Sequence, residues 1–220
     1  MIAMLKTTEC CLCSQIAGEE FNDLIARMLN GEPYVRRVML ESRSFAAIPS
    51  LGPLVSGHTL LCPRMHVRSF AQLEPSLHDE YQVVKKKLWR ALSSRYDSRV
   101  HLFEHGMSAT GDRIMCTTDH AHMHFVPLPC SCVVDGIEQL AWTEFDGSLR
   151  ELTQLSQGRE YILYEHPDGV CRLLIAGERS FESQYMRKLL AQALGHRENW
   201  NWRDNPDPRS ADETWRRFAL

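Results

Sequence analysis

Two rhythms of apolar and polar positions run through the chain. Phe21, Leu24, Ile25 and Leu29 fall at helical spacing in EEFNDLIARML and predict a short amphipathic helix. VRRVML and RSFAAIP then read as paired strands. Thr59 to Cys62 makes another strand, which Pro63 ends because proline cannot donate to a ladder. After Pro75, Leu77, Tyr81, Val84, Leu88 and Leu92 form one stripe of a long helix, with Lys85, Lys86 and Lys87 on its solvated side. VHLFEHG predicts a strand, residues 107–118 a loop, and DHAHMHFVPLP a further strand closed by Pro127 and Pro129.

The pattern restarts after residue 132. YILYEHPDGVCRLLI has the form of a hairpin turning at Pro167, Asp168 and Gly169. SFESQYMRKLLAQALG predicts a helix with Phe181, Tyr185, Met186, Leu189, Leu190 and Leu194 on its apolar side and Gly195 as C-cap. The tail holds three of the five tryptophans, which predicts that it docks on the body or on a partner. The expected fold class is α+β: an antiparallel sheet of about five strands with helices packed on one side. Residues 1–132 are expected to form the main domain, and 133–220 a hairpin–helix extension that packs on or completes it.

At 220 residues and 44% hydrophobic content the chain can bury a sizeable core. A net charge of −3 argues against general nucleic-acid binding, so any anion must be held by local groups. MIAMLKTTECC lacks the apolar run of a signal peptide, and no later run approaches membrane-spanning length, so a cytoplasmic protein is expected. Eight cysteines in such a protein point to reduced thiols or metal ligands before disulfides. Cys10, Cys11 and Cys13 form the tightest cluster.

His120, His122 and His124 stand at every second position, which puts them on one strand face with Ala121, Met123 and Phe125 on the other. Neighbouring imidazoles then lie about 6.6 Å apart along a cleft. Each can serve as nucleophile, proton carrier or metal ligand at neutral pH. The alternatives are a surface strand that happens to be histidine-rich, or a pure metal site on the H-x-H spacing.

HAHMHFV resembles the signature of the histidine triad superfamily of nucleotide hydrolases and transferases, in which histidines alternate with apolar residues. CLCSQIAGE resembles the entrance segment of these proteins, and SGHTLLCPRMHVRSFAQL their glycine–histidine strand and the following basic segment, with Arg64 where lysine is usual. The resemblance covers residues 10 to 128.

It implies that His122 attacks the α-phosphorus of a nucleotide ester, anhydride or phosphoramidate to form a nucleotidyl-imidazole. His124 would contact a phosphate oxygen or the leaving group. Related transferases commonly carry glutamine at that position, so His124 favours hydrolysis over nucleotidyl transfer, while phosphorolytic relatives keep phosphorolysis open. The resemblance also implies a structural zinc held by Cys10, Cys13, His66 and His120, which would make His120 more structural than catalytic, with Cys11 turned away. A nucleotide-type substrate is the expected partner, and a homodimer is admitted because small relatives pair.

Departures from the family pattern leave the substrate open. FEHG stands where many relatives carry asparagine, so Glu104 and His105 are candidates for contact with ribose or a non-nucleotide moiety. Thr117 or Thr118 would replace the serine that donates to phosphate, and VPLP lacks the basic residue many relatives have after the triad. SQYMRKLL followed by NWNWR is similar to an appended region of larger relatives and suggests a cover for the cleft or a dimer contact. Two other classes remain beside the hydrolase: a non-catalytic zinc-stabilised binding module, and a metallohydrolase using all three histidines as ligands.

Overall fold

The structure, a computed structural model, describes residues 10–108, 119–132, 134, 140–177 and 181–219. Eight strands are described: β1 Leu40–Glu41, β2 Phe45–Pro49, β3 Thr59–Pro63, β4 Arg99–Gly106, β5 Met123–Leu128, β6 Thr143–Phe145, β7 Tyr161–Glu165 and β8 Cys171–Ile175. They form one antiparallel sheet in the order β1-β2-β3-β5-β4-β7-β8-β6. The expected five strands are β1 to β5, and the C-terminal strands extend the same sheet rather than standing beside it. The reason is the edge of β4, whose backbone groups from Leu102 to Gly106 pair with β7.

The helices are α1 Cys11–Ala17, α2 Leu24–Met28, α3 His78–Tyr96, α4 Leu149–Ser156, α5 Tyr185–Ala193 and α6 Pro208–Ala219. They cover both faces of the sheet, not one. On one face Tyr81, Val84, Leu88 and Leu92 of α3 and Leu149 and Leu152 of α4 pack against Phe45, Leu61, Leu102, Met123 and Phe125. On the other, Leu12 and Ile16 of α1 pack against Ala46, Ile48 and Leu60. Further along that face, Met186 and Leu190 of α5 cover Phe103, Val126 and Ile162. Burial on two sides explains why β2 and β3 read as unbroken apolar runs.

The N-terminal region departs from its periodicity. The helix expected across EEFNDLIARML is a 3₁₀ turn at Glu20–Asn22 followed by the short α2, and Phe21 is 89% exposed. The better helix lies earlier. Cys10 caps α1 with its sulfur, which accepts the Cys13 N–H, and Gly18 ends it in the left-handed region at φ 81°. Of VRRVML only Leu40 enters a strand; Arg37 is instead buried in an ion pair with Asp212 of α6 at 2.7 Å. The expected α5 cap is present: Gly195 has φ 77°, and the His196 N–H reaches back to the Ala191 carbonyl at 2.8 Å. Among the described residues no helix is long and apolar enough to cross a membrane.

Candidate active site and metal cluster

Two chemically different centres share the start of β5. At the first, Cys10 and Cys13 at the head of α1 meet His66, beyond β3, and His120. His120 Nδ1 lies 3.6 Å from Cys10 Sγ and 3.2 Å from Cys13 Sγ, and His66 Nδ1 lies 3.4 Å from Cys13 Sγ. A tetrahedral ion with usual zinc bond lengths would set sulfur and nitrogen ligands about 3.6 Å apart. The four donor atoms all fall within 4.8 Å of one another, so the set fits such an ion.

The other nitrogens agree with this use. His120 Nε2–H donates to the Pro63 carbonyl at 2.8 Å, which leaves the Nδ1 lone pair for the cluster. His66 Nε2 faces the Asp119 carboxylate at 3.6 Å, the outer-shell arrangement that orients a metal-bound imidazole. Cys10 is held far below the ordinary thiol range, first by its hydrogen bond with Cys13, and Cys13 is driven up by that bond and by burial. The pair therefore shares one proton where a cation would displace it.

The second centre is a chain of three histidines. The Leu54 N–H can only donate, and it meets His58 Nδ1 at 3.1 Å, so the His58 proton sits on Nε2. That Nε2–H points at His124 Nδ1, 2.9 Å away. His124 thus carries its own proton on Nε2. His122 is wired oppositely: its Nδ1–H donates to the His120 carbonyl at 2.7 Å, which leaves the lone pair on Nε2. Burial, ahead of neighbouring positive groups, pushes His58 and His124 well below 6.5 and His122 down to about 4. Phe103, opposite His124 in the β4–β5 register, stacks on its ring at 4.2 Å and 11° and fixes its plane.

His122 and His124 open into a cleft of about 530 Å³, its mouth included. Leu12 and Gln15 of α1 form one wall, Pro49 to Gly52 another, and Arg187 and Trp202 from the C-terminal extension close it. Cys11 faces this cleft, away from the metal cluster as expected, and burial raises its thiol to about 11.

The expected substrate contacts divide. Glu104 is corrected: it lies on the opposite face of β4, 1% exposed, accepting from the Phe70 N–H at 2.8 Å and the Tyr161 hydroxyl at 2.5 Å. Gly106 makes room, since a Cβ there would fall 2.2 Å from the Tyr161 ring. Burial raises the Glu104 carboxyl to about 8. His105 shares the cleft side of β4 with Phe103, but its Nε2 is engaged by Glu160 at 2.6 Å and it is not among the cleft-lining residues. Thr117 and Thr118 lie outside the described residues. His58, Arg187 and Trp202 were not singled out from the sequence. The glycine–histidine dipeptide before β3 was a usable signal for His58, whereas nothing local marks Arg187.

Residues 34–129 match the family model of the HIT domain. Several solved structures are similar to parts of the chain. A HIT family member from Bacillus subtilis is 20% identical, with 56% of this chain and 74% of that one covered and a TM-score of 0.42. SMU.412c from Streptococcus mutans UA159 is 21% identical over 68% and 82% of the two chains, TM-score 0.44. A zinc-bound histidine triad family protein from Mycobacterium smegmatis is 19% identical over 67% and 90%, TM-score 0.41. No curated protein matches the chain in sequence.

Proposed function

We propose that the protein is a nucleotide hydrolase that releases a nucleoside monophosphate from a phosphate-linked leaving group through a covalent adduct on His122. The observation that carries this reading is the opposed wiring of the two cleft histidines. His122 offers a bare Nε2 lone pair because its other nitrogen is spent on the His120 carbonyl, and His124 beside it offers an N–H.

In the first step the His122 Nε2 lone pair attacks the α-phosphorus, the bond to the leaving group breaks, and its electron pair departs with that group. His124 Nε2–H stabilises charge gathering on phosphate oxygen. Full transfer of that proton is unfavourable, because His124 Nδ1 already accepts from His58 and loss of Nε2–H would leave an imidazolate. Leaving groups that depart as stable anions are therefore favoured, which points to phosphoric anhydrides ahead of phosphoramidates and alkyl esters. In the second step water attacks the phosphorus, the P–N bond breaks, the water proton goes to solvent or product phosphate, and His122 regains its lone pair.

A zinc ion at Cys10, Cys13, His66 and His120 belongs to the same reading as a structural element. Two thiolates and two imidazoles suit this borderline-soft ion, and four protein donors leave no position for substrate. When bound it ties α1 to the start of β5; the cleft histidines do the chemistry.

Intact-mass analysis of enzyme quenched with nucleotide anhydrides, phosphoramidates and nucleotide sugars tests the proposal. The expected result is an added nucleotidyl mass that is absent in His122→Ala, with anhydrides turning over fastest. Absence of both adduct and turnover across purine and pyrimidine substrates would overturn it and leave a zinc-stabilised binding module.

A further inference from the structure

The cleft wall that α1 provides is built from Cys11, Leu12 and Gln15, which share one face of the helix, with Leu24 of α2 beside them. Leu51 and Leu60 add to the apolar lining. Among the described residues that line the cleft, Gln15 brings the one side-chain amide.

That amide is out of place as a structural group. Gln15 is 6% exposed, and its Nε2 is buried without a hydrogen-bond partner. The residues on either side of it are engaged. The Ser14 hydroxyl donates to the Glu19 carboxylate at 2.8 Å, and the Ile16 carbonyl accepts from Arg36 Nε and Nη2 at 3.0 and 2.9 Å. These bonds hold the last turn of α1, so the stem of Gln15 is fixed while its donor is idle. A buried donor left unpaired costs stability, and a side chain needed only to fill the space would do better as leucine or methionine. The terminal amide torsion is soft, so the donor can turn to the cleft when an acceptor enters it.

An apolar slot with one amide suits a planar heteroaromatic ring, whose faces meet the apolar side chains while its polar edge meets the amide. An amide sets one donor beside one acceptor. It pairs with a base edge that carries the complementary pair, and it strands a polar atom against an edge of two like groups.

We propose that Gln15 reads the polar edge of the nucleobase, so that α1 sets the base preference of the cleft. The inference deepens the hydrolase reading and rests on it for a nucleotide as the ligand. His122 and His124 act at phosphorus, and Gln15, on a different element, decides which nucleotide is seated there.

The test measures binding of the four ribonucleoside monophosphates and of ribose 5-phosphate to the full chain by calorimetry, as wild type and Gln15→Met. Wild type is expected to bind its best nucleotide about 10-fold or more tighter than its worst. Gln15→Met should weaken the best by about 10-fold, bring all four within about threefold of one another and leave ribose 5-phosphate within about twofold. Its Tm should hold or rise, because the stranded donor is gone. A fall in Tm with equal losses for all five ligands would make Gln15 a structural residue and overturn the proposal. So would a wild type indifferent to the base, or a ranking that survives the substitution. Gln15→Leu carries the same comparison if the methionine variant fails to fold. The mass assay separates the two readings. A His122 adduct together with a base ranking unchanged in Gln15→Met sinks this inference alone. A base preference that Gln15→Met abolishes, without any adduct in wild type, sinks the hydrolase reading alone.

Discussion

His120 and His124 are four residues apart in one stretch, and their rings are turned to opposite uses. At the Cys–His cluster the Pro63 carbonyl takes the Nε2–H of His120 and leaves Nδ1 bare. At the cleft the His58 N–H occupies Nδ1 of His124 and leaves Nε2–H pointing outward. His122 between them is a third case, with Nδ1–H held by a carbonyl and Nε2 bare. The difference teaches that the chemistry of each imidazole is decided by what holds its other nitrogen; for His120 and His124 that partner comes from a distant part of the chain, for His122 from two residues away.

Substitutions on the two sides should fail in different ways. Removing a metal ligand has the largest expected effect on the fold: Cys13→Ser should abolish zinc binding by metal analysis and lower Tm by about 10 °C. Any folded fraction should still form the His122 adduct, and a folded variant that has lost it would show the two centres to be coupled. His58→Ala leaves the metal cluster intact and should act on rate. With its partner gone, His124 Nδ1 is free to take the proton, and kcat/KM for an anhydride should drop by about 100-fold or more, by analogy with tautomer-setting residues elsewhere.

Smaller effects test the back of the cleft strand. Glu104→Ala strands two buried donors, Phe70 N–H and Tyr161 hydroxyl, and should cost about 1–3 kcal/mol of stability by denaturant titration. Nucleotide KM should not change; a raised KM would restore Glu104 to the substrate side. The pH dependence is the finest test. Glu104 is raised to about 8, so the folded state keeps a proton that the unfolded chain releases near 4.5. Its contribution is full below 4.5 and is lost as pH rises through 8. His101 runs the other way: burial lowers it to about 4, so its contribution is full above 6.5 and is lost as pH falls toward 4. Glu104→Gln should therefore remove the decline between pH 4.5 and 8 and leave the acid side unchanged.

Much of this was legible before the fold was known. The stripe on α3, the hairpin of β7 and β8 and the Gly195 cap rest on local periodicity and backbone conformation, which neighbours in sequence determine. The triad was legible because residue type and spacing carry it, and the Cys10, Cys13, His66 and His120 set because these positions resemble a family pattern. Local pattern failed at Phe21, where a helical spacing without a surface to bury it against produced an exposed ring. It failed also at α1, whose cap is a cysteine rather than one of the usual capping residues.

Alternation along β4 separates Glu104 from Phe103 and His105, but it cannot say which set meets the histidines. That needs the pairing of Phe103 with His124. The sequence by itself determined the triad motif and most of the elements, because these depend on residues close together in the chain. Only the tertiary structure decided which nitrogen of His120 and of His124 is free, that the C-terminal strands prolong the sheet, and that Arg187 stands at the cleft. Each of those depends on a contact between segments distant in sequence, where hydrogen-bond geometry and packing, rather than spacing, do the selecting.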